Sequence, residues 1–465
     1  MPHPEGVLEI YMMGGMNPWD TFYSVPDYGK PDDDVYPNQQ WWTFQEGEES
    51  VSSVFDGCGG GSQELLLPFG TDSNNRTVNL GPWTYPLRER PDILARMRIH
   101  SMQHLFEPHQ VATPLMLCGH PRGTPRMSAT PSHIQRYFSG LEPDRTTPFS
   151  YVLFSEDTET QDEFNIQTAV ASGLHPASAR PLSIRLLADN PLPTQLSRAH
   201  LGGYHTQTDA LVSRYLEQYQ SMLRYPATGT SIPSSTLSDL YTARRNLQNS
   251  GRLGQILTSE LLAPVSGSEC GHDAAMDTPR MGMRLASDLL TRANDRAKWV
   301  TYVDSGMINA ESAGYDTHDH HVVESSRNII HTCRTLSEIV NKPGENDPKK
   351  LDLDKHMILI TTEFGRTPYE EKRRMLGLNH WPFGFAVVQI GGPVDAARSG
   401  VVGGIGPGGY ADRASTPAEF RAAMLMAMGI WPFSNQGFAV GDVRGANSEH
   451  VAAAMVRDWV LGYPI

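Results

Sequence analysis

Four short stretches of the chain combine carboxylate, imidazole and guanidinium side chains, and each lies at or just after a run of apolar residues. The residues with metal-ligating or polar chemistry in these stretches are Asp20, Thr21, Asp316, His318, Glu363, Arg366, Asn379 and His380. Mixed sets of Asp, Glu and His side chains are used as ligands by Zn²⁺, Mn²⁺ and related divalent ions. The pattern therefore predicts a divalent metal site, with Zn, Mn or Ca as the candidate ion.

The stretch "GYDTHDHH" at 314–321 concentrates these residue types in one loop. An extended backbone points alternate side chains to the same side, so Asp316, His318 and His320 would share one face. One loop could then supply two ligands to one ion. The alternative interpretation is a solvated strand–helix connection that is rich in histidine. Carboxylates at two other strand ends favour the metal.

Glu363 and Arg366 lie directly after the apolar run in "ILITTEFGRTP". A turn or capping carboxylate that pairs with a neighbouring arginine is the simpler interpretation of these two residues. Charged groups at the end of a buried strand are nevertheless costly unless they have partners. A metal ion would satisfy Glu363, and an anion or a carboxylate would satisfy Arg366.

Strands and helices alternate along the chain, which indicates an α/β fold in which these residues meet at the carboxyl ends of strands. Continuous apolar runs predict buried strands of a parallel or mixed sheet. Strands are predicted at 7–15, 149–155, 297–306, 356–362 and 385–392, and helices from Pro91 onward and at 108–119, 205–224, 279–295, 322–341 and 415–429. Residues 225–239 are the best candidate for an internal linker, and a simple connection between two helices is the alternative.

The chain has 465 residues and a hydrophobic fraction of 39%, which suit one large domain. Its net charge of −14 argues against a nucleic-acid partner. Four cysteines without a CxxC pair favour single thiols over a disulfide. No run is long and apolar enough for a membrane span. The start lacks a leader pattern, so localisation stays open between the cytoplasm and export after removal of a leader.

The motifs "GGMNPWDTF", "YDTH", "TTEFGRTP" and "NHWPFGFAVVQIGG" occur in an order that resembles the bacterial family called domain of unknown function 1501. That family is related to alkaline phosphatases and sulfatases. The resemblance runs from Val7 to about Pro432 and is weakest over 36–90 and 225–270. It implies a single alkaline-phosphatase-like α/β domain over 1–465, with a mostly parallel sheet between helices and loop-rich insertions around 36–90 and 160–270.

The resemblance also implies roles for individual residues. Asp316, His318 and His380 would bind one metal ion, and Asp20 and Glu363 would bind another. Counting back from Cys118-Gly119 puts His109 at the position of the superfamily nucleophile, where it would contact a phosphate- or sulfate-like group, ligate a metal or attack covalently. An ordinary histidine at a helix start is the alternative, and Thr21 and Ser101 are further candidates for a nucleophile.

The implied function is metal-dependent hydrolysis of a phosphate or sulfate ester, on a small molecule or a polysaccharide. Arg366 would bind the anionic group of the substrate or support the metal ligands from outside. Asn379 stands where the family motif has aspartate, which removes one charge from the site. A catalytically decayed metal-binding or scaffold protein of the same fold is therefore the alternative. A carbohydrate-binding surface on the tryptophans of "QQWWTF" and "GPWTYP" is a third hypothesis, set against their use as core residues.

Overall fold

A computed structural model gives the fold. It describes residues 2–25, 28, 50–61, 63–124, 129–141, 150–155, 182–187, 192–193, 206–222, 253, 255–307, 314–368, 377–433 and 437–463. The strands are β1 (Gly6–Met12), β2 (Leu67–Thr71), β3 (Thr77–Leu80), β4 (Met97–Met102), β5 (Tyr151–Ser155), β6 (Leu182–Leu186), β7 (Gly267–Glu269), β8 (His272–Ala274), β9 (Trp299–Asp304), β10 (His356–Thr361), β11 (Gly365–Arg366), β12 (His380–Trp381), β13 (Phe385–Gly391), β14 (Gly400–Val402), β15 (Gly404–Ile405) and β16 (Ala411–Arg413).

The α-helices are α1 (Val51–Gly57), α2 (Tyr85–Arg88), α3 (Pro91–Leu94), α4 (His109–Cys118), α5 (Thr130–Leu141), α6 (Thr206–Met222), α7 (Thr278–Thr291), α8 (His321–Ile339), α9 (Pro417–Ala427) and α10 (Glu449–Trp459). Short 3₁₀ turns lie at Pro82–Thr84 and Val440–Asp442. The start of α9 carries a capping box, in which the Thr416 hydroxyl accepts from the Glu419 amide and the Glu419 carboxylate accepts from the Thr416 amide.

One sheet of eight strands forms the centre, in the order β14-β4-β13-β10-β1-β9-β5-β6. All neighbouring pairs are parallel except those that β13 makes with β10 and β4, so β13 alone among these strands runs against the others. Strands β1 and β10 are buried along their whole length, as their continuous apolar runs predict for a sheet covered on both faces.

Helices cover both faces of this sheet and enclose two apolar clusters. Leu8 and Ile10 of β1 pack in the cluster that includes Leu289 of α7 and Ile329 of α8. Val7 and Tyr11 pack in the other cluster, with residues of α4, α9 and α10. The prediction of an α/β fold with a mostly parallel sheet between helices is therefore confirmed.

The helix predicted from Pro91 ends after one turn, and the rest of that stretch is strand β4. Its backbone pairs with β13 on one side and β14 on the other. Met97 and Ile99 face one apolar cluster while Met102 faces the second, which is the alternation of a strand. Pairing with two distant segments has overridden the local helix start.

Cys58 and Cys270 form a disulfide, with their Cα atoms 4.4 Å apart and a sequence separation of 212 positions. The prediction of single thiols is wrong for this pair. Cys118 and Cys333 are free and buried, as that prediction expects.

The region expected as an insertion at 36–90 contributes α1, the β2–β3 hairpin, the 3₁₀ turn at Pro82–Thr84 and α2 from its described part. Most of the region expected as an insertion at 160–270, and the linker predicted at 225–239, lie outside the described residues. Within the described part of the chain, no helix combines the length and the apolar character that crossing a bilayer requires.

Candidate functional site

Neighbouring parallel strands bring the candidate residues to one edge of the sheet. Strands β9, β1 and β10 lie side by side and run in the same direction, so their carboxyl ends meet. The loop before α8 brings Asp316 and His318 to this edge, and the segment after β10 brings Glu363. The ribbon β11–β12 adds Arg366 opposite His380, and His109 opens α4.

Asp316 is the centre of the site. Arg366 Nη2 donates to Asp316 Oδ1 at 2.5 Å. The Nε2 atoms of His318 and His380 lie 3.1 and 3.3 Å from the same oxygen. His109 Nε2 lies 3.5 Å from the other oxygen, Oδ2. One carboxylate is thus surrounded by three imidazoles and one guanidinium.

These neighbours decide the ionisation of Asp316. Burial disfavours its charged form, but the interactions with the imidazoles of His109, His318 and His380 and the charge of Arg366 outweigh burial. Together they hold the pKa of the Asp316 carboxyl well below its usual range. The group is a carboxylate at any pH near neutral.

His109 is held by a second carboxylate on the far side of its ring. Its Nδ1 lies 2.8 Å from Glu363 Oε1, and that oxygen also accepts the backbone N–H of Gly14 at 2.7 Å. Glu363 is fully buried. Burial lowers the pKa of His109, but bonds to Asp316 and Glu363 outweigh it and raise the pKa from 6.5 to about 10.

His380 shows the same arrangement with a different outer partner. Its Nδ1 lies 2.9 Å from the carbonyl oxygen of Glu107, so that nitrogen carries a proton and donates it there, while Nε2 faces the site. Phe364 stacks on the ring at a centroid distance of 4.3 Å. Burial is the main cause that lowers the pKa of His380, and the charges of Arg366 and His109 add to it.

Arg366 is fully buried and donates to carbonyl oxygens as well as to Asp316. The carbonyls are those of Gly14, Gly15, Tyr315 and Leu378. The guanidinium therefore ties the loop after β1 to the loops that carry Asp316 and His380. The contacts described for Arg366 fix geometry, while its predicted contact with a substrate anion stays a prediction.

His109, Asp316 and His380 each offer one ligand atom, and these three atoms lie within 4.8 Å of one another. Within the described residues, this is the one group of three or more His, Cys, Asp or Glu side chains that meets this criterion. His318 Nε2 adjoins the group, 3.1 Å from His380 Nε2. Imidazole nitrogens and carboxylate oxygens are the atom types that proteins use to coordinate divalent cations.

Residues 299–445 match the model of the family described as Protein of unknown function (DUF1501). The matched segment contains Asp316, His318, Glu363, Arg366 and His380, whereas Asp20 and His109 precede it. No curated protein matches the chain. The DUF1501 match therefore supports the family resemblance for the segment that carries most of the site, and it brings no activity with it.

Asp20, which precedes the segment that matches DUF1501, is fully buried and lies in a neighbouring polar network. Asn17 Nδ2 donates to Asp20 Oδ2 at 2.5 Å and also lies 2.9 Å from His321 Nε2. Asp20 is not among the three residues whose ligand atoms converge in the described structure. Its role as a ligand, shared with Glu363 at a second ion, stays a prediction.

The other sequence candidates that the structure describes are buried residues of the fold. The Thr21 hydroxyl donates to the Asn17 carbonyl at 2.5 Å, and Ser101 is fully buried in β4. Trp83 of "GPWTYP" is a core residue with no exposed surface, so it offers no carbohydrate-binding face. The tryptophans of "QQWWTF" lie outside the described residues.

Sequence reasoning missed the outer partners of the histidines. The Glu107 carbonyl and the Gly14 amide are backbone groups, so the residue types at these positions do not indicate their contacts. His321 and Asn17 were visible as residue types beside the motifs, in "THDHH" and "MNPWD", and their polar side chains next to proposed ligands are the signal that could have found them.

Proposed function

We propose that the chain is a metal-dependent hydrolase of a phosphate or sulfate ester, with an alkaline-phosphatase-like fold. One observation carries the proposal. The Nε2 atoms of three histidines point at the Asp316 carboxylate, while the Nδ1 atoms of His109 and His380 are held by Glu363 and by the Glu107 carbonyl. Metal-bound histidines typically donate their second ring nitrogen to a carboxylate or a carbonyl in this way.

The donor atoms fit a divalent ion in type and spacing. Ligands about 2.0–2.1 Å from a tetrahedral ion lie about 3.3 Å from each other. The distances from Asp316 oxygens to the three Nε2 atoms are 3.1, 3.3 and 3.5 Å. Two imidazoles and one carboxylate suit Zn²⁺ or Mn²⁺. Asp316, His109 and His380 would hold the ion, with His318 as the adjoining donor.

Each residue around these donors has a separate task. Arg366 donates to Asp316 Oδ1 and keeps the carboxyl group ionised. Glu363 fixes the ring of His109, and the Gly14 amide fixes Glu363. A bound divalent ion would polarise the ester and lower the pKa of a water molecule.

Exposure indicates the side from which a substrate would approach. The side chains of Asp316 and His318 are 38% and 28% exposed, whereas those of Arg366 and Glu363 are fully buried. A substrate would therefore meet the donors at their Asp316–His318 side, and the buried partners would keep water away from the opposite side.

Two observations support the finer assignment of fold and reaction. The donors lie at the carboxyl ends of parallel strands, where α/β enzymes bind their ligands. The motifs "YDTH", "TTEFGRTP" and "NHW" resemble a family related to alkaline phosphatases and sulfatases.

Metal analysis of the purified protein and assays with aryl phosphate and aryl sulfate test this proposal. We expect bound Zn²⁺ or Mn²⁺ near one equivalent, and turnover of one ester class that a chelator abolishes. Protein that binds neither ion and turns over neither ester would contradict the proposal. Stable metal binding without turnover would favour the alternative, a decayed binding or scaffold protein.

A further inference from the structure

Thr317 lies between the proposed donors Asp316 and His318 and is fully buried. Its hydroxyl oxygen is 2.5 Å from His321 Nδ1. Its carbonyl oxygen accepts the backbone N–H of Leu378 at 3.2 Å. One residue thus joins the donor loop to the first turn of α8 and to the segment that leads to His380.

The hydrogen-bond partners of His321 define the orientation of its ring. The Asn17 amide nitrogen donates to Asp20 Oδ2 at 2.5 Å and lies 2.9 Å from His321 Nε2. An amide NH₂ group has two hydrogens and no acceptor, so Nε2 accepts one of them. Nδ1 then carries the ring proton and donates it toward the hydroxyl of Thr317, with the Ser325 hydroxyl at 3.2 Å.

This chain of polar groups is buried throughout. Asn17, Asp20, Thr317, His321 and Ser325 are each at most 2% exposed. A buried polar network costs free energy unless each member is satisfied, and a satisfied one fixes a single local conformation. The network lies directly beneath the loop whose side chains must converge.

We infer that His321 is a positioning residue for Asp316 and His318, which acts through Thr317 and is itself held by Asn17 and Asp20. The inference rests on the proposed metal site. It gives Asp20 a role behind the donors instead of among them. Substitution of His321 should loosen the donor loop and weaken metal binding without removing a proposed ligand.

The test compares His321→Ala with His331→Ala. Both histidines belong to α8 and both are buried, but the ring of His331 contacts Glu269 and Asp277 and not the donor loop. Mn²⁺ and Zn²⁺ affinities are measured by titration calorimetry below pH 7. We expect a 10- to 100-fold loss for His321→Ala and less than a threefold change for His331→Ala.

Conservative variants keep the inference testable if His321→Ala fails to fold. The amide nitrogen of an asparagine at 321 can replace Nδ1–H toward Thr317, so His321→Asn should recover more affinity than His321→Leu, which fills the space without a donor. Equal affinities for Asn and Leu would overturn the positioning role, because packing alone would then account for the effect.

A readout that needs no metal separates this inference from the proposed function. Amide hydrogen exchange over 314–320 should be faster in His321→Ala than in the parent and unchanged in His331→Ala. A parent protein that binds no ion would contradict the proposed metal site. The hydrogen-exchange data would still decide whether His321 holds the loop. Unchanged exchange in His321→Ala would overturn the inference.

Discussion

His109 and Glu363 are 254 positions apart in sequence, and His109 Nδ1 lies 2.8 Å from Glu363 Oε1. This contact leaves His109 Nε2 as the nitrogen that faces Asp316, so the carboxylate of Glu363 determines which ring atom is available. Glu363 therefore acts on the site through His109, and substitution of Glu363 should change the metal affinity of the site.

Replacement of Glu363 by glutamine should lower metal affinity about 10- to 100-fold, because the ring of His109 loses its charged partner. Calorimetric titration with Zn²⁺ measures the change. Glu107→Gln is the matched control, since Glu107 contacts His380 through its backbone carbonyl. A similar loss in both variants would show that the effect is general electrostatics.

Replacement of Asp316 by asparagine should abolish detectable metal binding and lower the free energy of unfolding by about 1–3 kcal/mol, because buried Arg366 loses its charged partner. Urea unfolding and metal titration measure the two effects. Asp319→Asn changes an exposed carboxylate in the same loop and should leave both quantities near those of the parent.

Replacement of Gly377 by alanine should displace the donor loop without altering any donor. A Cβ atom at 377 would lie 1.5 Å from the carbonyl oxygen of His318, so backbone must move. Metal affinity and exchange protection over 314–320 should both fall. Gly441→Ala adds the same methyl group in open space and serves as the control. Parental affinity in the Gly377→Ala variant would show that the loop tolerates the shift.

His331 should make stability depend on pH between about 6.5 and 9. Burial lowers its pKa, but the carboxylates of Asp277 and Glu269 outweigh burial and raise it from 6.5 to about 9. Arg280 contacts the same Asp277 carboxylate, and Arg334 contacts that of Glu269. A raised pKa gives stability that is complete below pH 6.5 and is lost as pH rises through 9, here roughly 3 kcal/mol.

His331→Gln cannot carry this charge, so its stability should change less than that of the parent between pH 6 and pH 9.5. Urea midpoints at the two pH values measure the difference. Parallel pH profiles for the two proteins would contradict a charged His331 in the native state.

Asn379→Asp tests whether the site has lost an acidic ligand. In the structure, Asn379 Oδ1 accepts the backbone N–H of His380 at 2.9 Å, and an aspartate can accept the same bond. If the asparagine marks a decayed site, the added charge should raise metal affinity at least tenfold or create turnover. Metal affinity and activity equal to those of the parent would show that Asn379 does not mark a lost acidic ligand.

The sequence predicted the parts of the fold that rest on local signals. Continuous apolar runs marked β1, β10 and β13, and Thr416, Pro417 and Glu419 marked the start of α9. Strand β4 escaped prediction because its two pairing partners lie about 300 residues away along the chain. Local propensity carries no information about such partners.

The candidate site was predicted to a similar depth. The family resemblance of "YDTH" and "NHW" implied that Asp316, His318 and His380 would meet, and their side chains lie together in the structure. The contact of His109 with Glu363 depends on how β4, β13 and β10 are ordered in the sheet. Strand order is a global property, so motif spacing alone could not distinguish a direct ligand from a residue that orients one.

The Cys58–Cys270 bond joins positions 212 residues apart and so makes a closed ring of the intervening chain. A protease that cuts once anywhere inside this ring would leave two fragments that migrate together on a gel until a reductant is added. Much of the undescribed chain, including most of 156–252, lies inside the ring. A cut there would leave both fragments covalently joined, and His109 and Asp316 would remain parts of one molecule.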